Sequence, residues 1–151
     1  MQRYLLHSLC TYAYGGVNMQ VVIFRLNNEQ FAVETAKVQS INNSMEITKV
    51  PQAPAYIKGL INLRGNVISL LDINLLMDIP RAEISENSIL ILEMEDELVG
   101  ITVDQVDEVL DVEENAIEKI NDEGKKVYIQ GIINFKDSIV TLIDIDKLLS
   151  N

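Results

Sequence analysis

Few residues in this chain are of types that do chemistry. Histidine and cysteine occur once each, as His7 and Cys10. One thiol allows no intrachain disulfide, which fits a reducing compartment. One thiol and one imidazole also leave no zinc set of the usual ligands. A Ser-His-Asp or Cys-His relay needs a histidine held by packed neighbours, and the single histidine falls in a segment that reads as a tail. There is no glycine-rich phosphate loop and no dinucleotide fingerprint.

Carboxylates are plentiful, 23 against 12 Lys and Arg, for a net charge of −11. Stretches such as Glu93 to Glu97 and Asp104 to Glu114 supply many carboxylate pairs. The catalytic reading they allow is a small acidic β-barrel enzyme working through paired carboxylates. The alternative is a solvated acidic face that also discourages strand edges from associating; it explains the same residues without a cleft. The charge repels phosphate backbones and acidic headgroups, which argues against nucleic acid and membrane surfaces as partners. No apolar run approaches the roughly 20 residues that span a bilayer.

The elements that would position any of these residues are doubled. Tyr56 to Met77 aligns with Tyr128 to Leu149 at a constant offset, with nine of 22 positions identical and most others exchanging one aliphatic for another. A weaker match precedes it, Val22 to Val38 against Leu90 to Val106. Two copies of one unit in the same order point to duplication. Each copy reads as short β-rich runs, such as Gln20 to Leu26 and Ser88 to Met94, separated by polar turns. Gly65-Asn66 lies between apolar runs and signals a tight turn, with Asp137-Ser138 as its counterpart. Short helices are expected after Asp72 and Asp144. The fold class is therefore all-β, with about five strands per copy and short helices.

Residues 1–18 carry the Gly15-Gly16 break shortly before Met19 and read as a loosely ordered tail. The apolar stretch within it is interrupted by His7, Ser8 and Thr11, unlike a signal peptide. The remainder, 19–151, divides by the repeat into lobes of about 19–85 and 86–151.

Duplication also sorts the polar residues. Those kept in both copies serve the shared fold: Asp72 and Asp144 as helix caps, Asn62 and Asn134 as partners of turn backbone, Gly59 and Gly131 as points of close backbone approach. Arg64 differs. It stands beside Gly65 at a hairpin tip where the second copy has Lys136-Asp137, and its planar fork suits a partner's carboxylate or carbonyls.

At Tyr56 to Ile68 the chain resembles the CheW family of chemotaxis coupling proteins. The Asn-Leu-Arg-Gly element, Asn62 to Gly65, followed by aliphatics and Leu71-Asp72, carries most of that likeness. Phe31 to Val33, Lys37 to Gln39, Pro51 to Pro54, Val99 to Asp104 and Asp144 to Leu149 extend it from about Met19 to Leu149. The resemblance implies two SH3-like five-stranded β-barrel lobes and a non-catalytic, cytoplasmic adaptor with no cofactor and no metal. Its partners would be the regulatory domain of the histidine kinase CheA and the cytoplasmic tip of methyl-accepting chemoreceptors, so that it reaches receptor arrays through them. Matched positions imply receptor contact at Arg64 and Val109, facing a groove between lobes. They imply kinase contact on the first lobe, at Val22, Thr35, Val38, Ile41 and Gly59. Ser40 and Thr35 stand where the family often has an acid and an aliphatic. The related domains of CheA and CheV share the fold, but 151 residues hold no kinase or receiver domain beside it.

Overall fold

The structure is a computed structural model and describes residues 18–120 and 126–150. The tail expected over 1–18, with His7 and Cys10, lies outside the described residues except for Asn18. That residue opens β1, Asn18–Leu26, which is followed by β2 (Glu29–Glu34), β3 (Val38–Asn42), β4 (Ile57–Leu63), β5 (Asn66–Leu71) and α1 (Ile73–Met77). The second copy supplies β6 (Ser88–Met94), β7 (Glu97–Val103), β8 (Gln105–Glu113), β9 (Ile117–Glu118), β10 (Ile129–Asn134), β11 (Ile139–Ile143) and α2 (Ile145–Leu149). Every element of the first copy thus has its counterpart, and the all-β expectation with short helices holds.

These strands form two sheets, one ordered β8-β1-β2-β11-β10-β9 and the other β3-β6-β7-β5-β4. Each belongs to its own compact unit. One unit runs through Phe24 and takes in Glu29–Ala36 and the chain from Val106; the other holds Arg25–Asn28 and Lys37–Gln105. The units are therefore not the sequential halves 19–85 and 86–151. Each takes its first hairpin from one copy and its remaining strands and helix from the other.

Connection lengths explain this exchange. In the second unit β3 and β7 both run antiparallel to β6, so they run parallel to each other. For β8 to occupy the place of β3 within its own copy, the chain would have to return along the whole strand after β7. Such a crossover takes a dozen residues or more, and only Asp104 separates β7 from β8. The chain passes straight into the other unit instead.

Apolar strand faces build each core separately. In the first unit Val21, Ile23, Ala32, Val112, Ile133, Val140 and Leu142 form one cluster, and the Phe24 and Phe31 rings stack with centroids 6.1 Å apart. In the second, Ile61, Ile68, Leu70, Ile89 and Ile91 do the same. The repeat is also legible at the glycines. A Cβ on Gly59 would lie 2.5 Å from the Thr48 carbonyl oxygen, and one on Gly131 would lie 2.9 Å from that of Glu118. Each clash falls where the next residue bridges the same segment, Leu60 to Thr48 and Ile132 to Glu118.

Candidate binding surfaces

The two aspartates that recur in both copies are committed to the fold. Asp72 is 3% exposed, and its Oδ1 accepts from the Leu75 amide at 3.2 Å to cap α1. Its Oδ2 pairs with the Arg81 guanidinium. Asp144 Oδ1 accepts from the amides of Asp146 and Lys147 at 3.1 and 3.3 Å. Both aspartate amides donate back to a tyrosine carbonyl, Asp72 to Tyr56 and Asp144 to Tyr128. Capping explains both residues, as their recurrence implied. Asp104, in the acidic stretch, accepts from the Asn27 amide at 2.7 Å and fastens the β1–β2 turn. Among the described residues no group of His, Cys, Asp or Glu is placed to hold a metal.

Arg64 is placed differently. The β4–β5 hairpin closes from Leu63 to Asn66, with Arg64 at φ 54° and Gly65 at φ 87°. Positive φ at both central residues is the type I′ geometry that fits the twist of the flanking strands. The turn is thus centred one residue earlier than the Gly65-Asn66 expectation, because Asn66 already opens β5. Asn62 Oδ1 accepts from the Gly65 amide at 2.9 Å and locks the turn.

A left-handed arginine carries a cost of about 1 kcal/mol or more that Gly or Asn largely avoids. Its side chain offers no local return, since it is exposed and makes no hydrogen bond or ion pair with the described residues. At the matching tip neither Lys136 nor Asp137 is left-handed, so the strain belongs to one copy only. Three places on from Arg64, Val67 is 68% exposed. Guanidinium and apolar surface are thus presented together. The resemblance gave no hint of Val67, although its position beside the signature element is a signal that was available.

The implied kinase contacts separate. Val22 and Thr35 lie in the first unit, and Val38, Ile41 and Gly59 in the second, so they do not share one lobe. Val22 is only 1% exposed; β1 is buried on both faces between β8 and β2, and its side chain has no surface to offer. Gly59 is buried against Thr48 and serves the fold. The Thr35 hydroxyl donates to Gln20, with the backbone carbonyl 3.2 Å and Oε1 3.1 Å away. Val38 and Ile41 are half-buried on β3, opposite Leu92 and Leu90 of β6. As an end strand, β3 has no sheet partner among the described residues on its outer side. Val109, the second implied receptor contact, is half-buried on β8 in the first unit.

A left-handed arginine tip and an open strand edge are features of a binding surface, and the recurring aspartates are spent on capping. Comparison with known proteins makes this specific. A family model described as a CheW-like domain matches residues 20–151. The chemotaxis protein CheW of Bacillus subtilis is 31% identical over 134 residues, 86% of each chain. That of Klebsiella aerogenes is 30% identical over 139 residues, 89% of this chain and 84% of its own. The crystal structure of the scaffolding protein TtCheW from Thermoanaerobacter tengcongensis matches with a TM-score of 0.79 at 28% identity, over 89% of this chain and 94% of that one. The chain belongs to the CheW-like family, and its role is that of a chemotaxis adaptor. The paired-carboxylate enzyme finds no support. Among the described residues no helix is long and apolar enough to cross a membrane.

Proposed function

We propose that the chain couples methyl-accepting chemoreceptors to the histidine kinase CheA without catalysing a reaction of its own. It works from the cytoplasm and reaches the membrane only through these partners. The observation that carries this reading is Arg64, a left-handed residue whose exposed guanidinium does nothing for its own fold. A guanidinium left over by its own fold is available to a partner, and the receptor tip is the partner that the family implies for it, with Val109 as a second contact. The kinase regulatory domain docks along β3, against Val38 and Ile41, with Thr35 close by in sequence. Val22 and Gly59 are each buried within their own unit and are left out of that contact.

A binding assay tests both halves. The chain is titrated into a receptor cytoplasmic fragment and, separately, into the CheA regulatory domain. Both should bind, and both should bind at once. Substituting Ile41 by Lys on the β3 edge should weaken the kinase domain and spare the receptor. If either partner fails to bind, or if one displaces the other, the coupling role is refuted.

A further inference from the structure

A second polar site lies within the unit built on β3 to β7. Lys58, Asn74, Arg81, Asn87, Thr102 and Asp104 line a cavity of about 80 Å³, room for a few waters or one small ion. The backbone directs Lys58 to it. In the β4–β5 ladder Ile57 pairs with Leu71 and Gly59 with Leu70, so Lys58 is the extra residue of a β-bulge, a device that re-aims a side chain. The same bulge recurs between Ile129 and Gly131. There the equivalent residue is Gln130, which lines a cavity of the other unit. Both copies thus turn this residue toward a cavity, and only the first makes it a cation.

The lining holds more donors than acceptors. Lys58 is half-buried and has no hydrogen bond or ion pair among the described residues. Thr102 is 7% exposed, and its hydroxyl has no partner among the described residues. The nearby carboxylates are engaged: Asp72 holds Arg81 and caps α1, and Asp104 accepts from Asn27. A buried hydroxyl and a partly desolvated ammonium each lose free energy when left unpaired. A small anion rich in acceptors satisfies both at once. We infer that this cavity is a binding site for a small oxyanion, held by the Lys58 ammonium and the Thr102 hydroxyl with the Arg81 guanidinium at its rim. Orthophosphate and a carboxylate share this chemistry. Burial, and then the neighbouring Arg81, hold the amine below the ordinary lysine range despite Asp72 and Asp104; a bound anion reverses that bias.

The test is a proton–nitrogen NMR titration of the full chain with sodium phosphate and, separately, sodium acetate, at ionic strength held constant with chloride. The Lys58 and Thr102 amides should shift together and saturate with at least one anion; the one that saturates at lower concentration identifies the class. Lys58→Gln, which installs the residue of the second copy, should weaken binding about tenfold or more. Thr102→Val keeps the side-chain shape and should weaken binding severalfold while holding the melting temperature. Lys119→Gln, on the other unit, should change nothing. Shifts that grow linearly without saturation would overturn the site, as would curves that neither Lys58→Gln nor Thr102→Val alters.

Discussion

Arg64→Asn separates function from fold because the two should move in opposite directions. The native residue sits at φ 54° in a type I′ turn, where asparagine is among the preferred residues. Its guanidinium contributes no hydrogen bond or ion pair to the described fold. The substitution therefore removes strain and loses nothing, a gain of about 0.5–1 kcal/mol. For 151 residues that raises the melting temperature by about 1–4 °C, read by calorimetry or circular dichroism. Receptor affinity should fall, since a charge-assisted contact at an interface is worth about 1–3 kcal/mol, or about 5- to 150-fold in Kd. Binding of the kinase regulatory domain should be unchanged. Lys136→Asn is the control: its tip is not left-handed, so neither stability nor receptor affinity should rise or fall appreciably. A melting temperature several degrees lower for Arg64→Asn would show that the arginine ties the fold together. Full receptor affinity would show that the strain serves something else.

Other substitutions probe the shared framework. Gly59→Ala places a methyl 2.5 Å from the Thr48 carbonyl oxygen and should cost about 2 kcal/mol or more by urea denaturation; a neutral result would show that the bridge is loose. Asp72→Ala loses a cap and the contact to the half-exposed Arg81, and should cost about 1–2 kcal/mol against about 1 for Asp144→Ala, which loses a cap alone. Equal losses would deny the Asp72–Arg81 pair any weight. Burial, and then Arg81, disfavour protonation of Lys58 in the folded chain against the pull of Asp72 and Asp104. Between its lowered value and the ordinary 10.5 the unfolded chain binds more protons, so stability rises with pH across that window, and at neutral pH the penalty is fully present. Lys58→Met should therefore stabilise the chain near neutral pH, with a gain that shrinks as the pH climbs through the window. A gain that stays constant with pH would count against a buried ammonium.

Much of this was readable from residue order alone, because it depends on local pattern. Alternating apolar runs and polar turns marked the strands, and Asp72 and Asp144 marked both helix starts. Which copy a strand pairs with was not readable. Pairing of β8 with β1 rather than β6 follows from the single-residue link at Asp104, whose consequence appears only once strand directions are known. The turn shift from Gly65-Asn66 to Arg64-Gly65 has a similar cause, since glycine is accepted at either central position of the turn. The depth of Val22 was not readable either, because a matched position carries no information about burial. The Lys58 cavity was hidden by its bulge, though the exchange of Lys58 for Gln130 between otherwise similar copies was a visible sign.

The exchanged hairpins also set an order of assembly during synthesis. The second unit closes through Ser69 against Val99 on β5 and β7, a modest loop available once about two thirds of the chain has emerged. The first unit joins β2 to β11 through Gln30 and Val140, 110 residues apart. Loop-closure entropy makes such distant pairings slow to form. Until the last strand leaves the ribosome, β2 waits with an unpaired edge and an apolar face exposed. Because β1 and β2 come first and are completed last, a chain stopped short of β11 retains a finished second unit beside an open, adhesive hairpin.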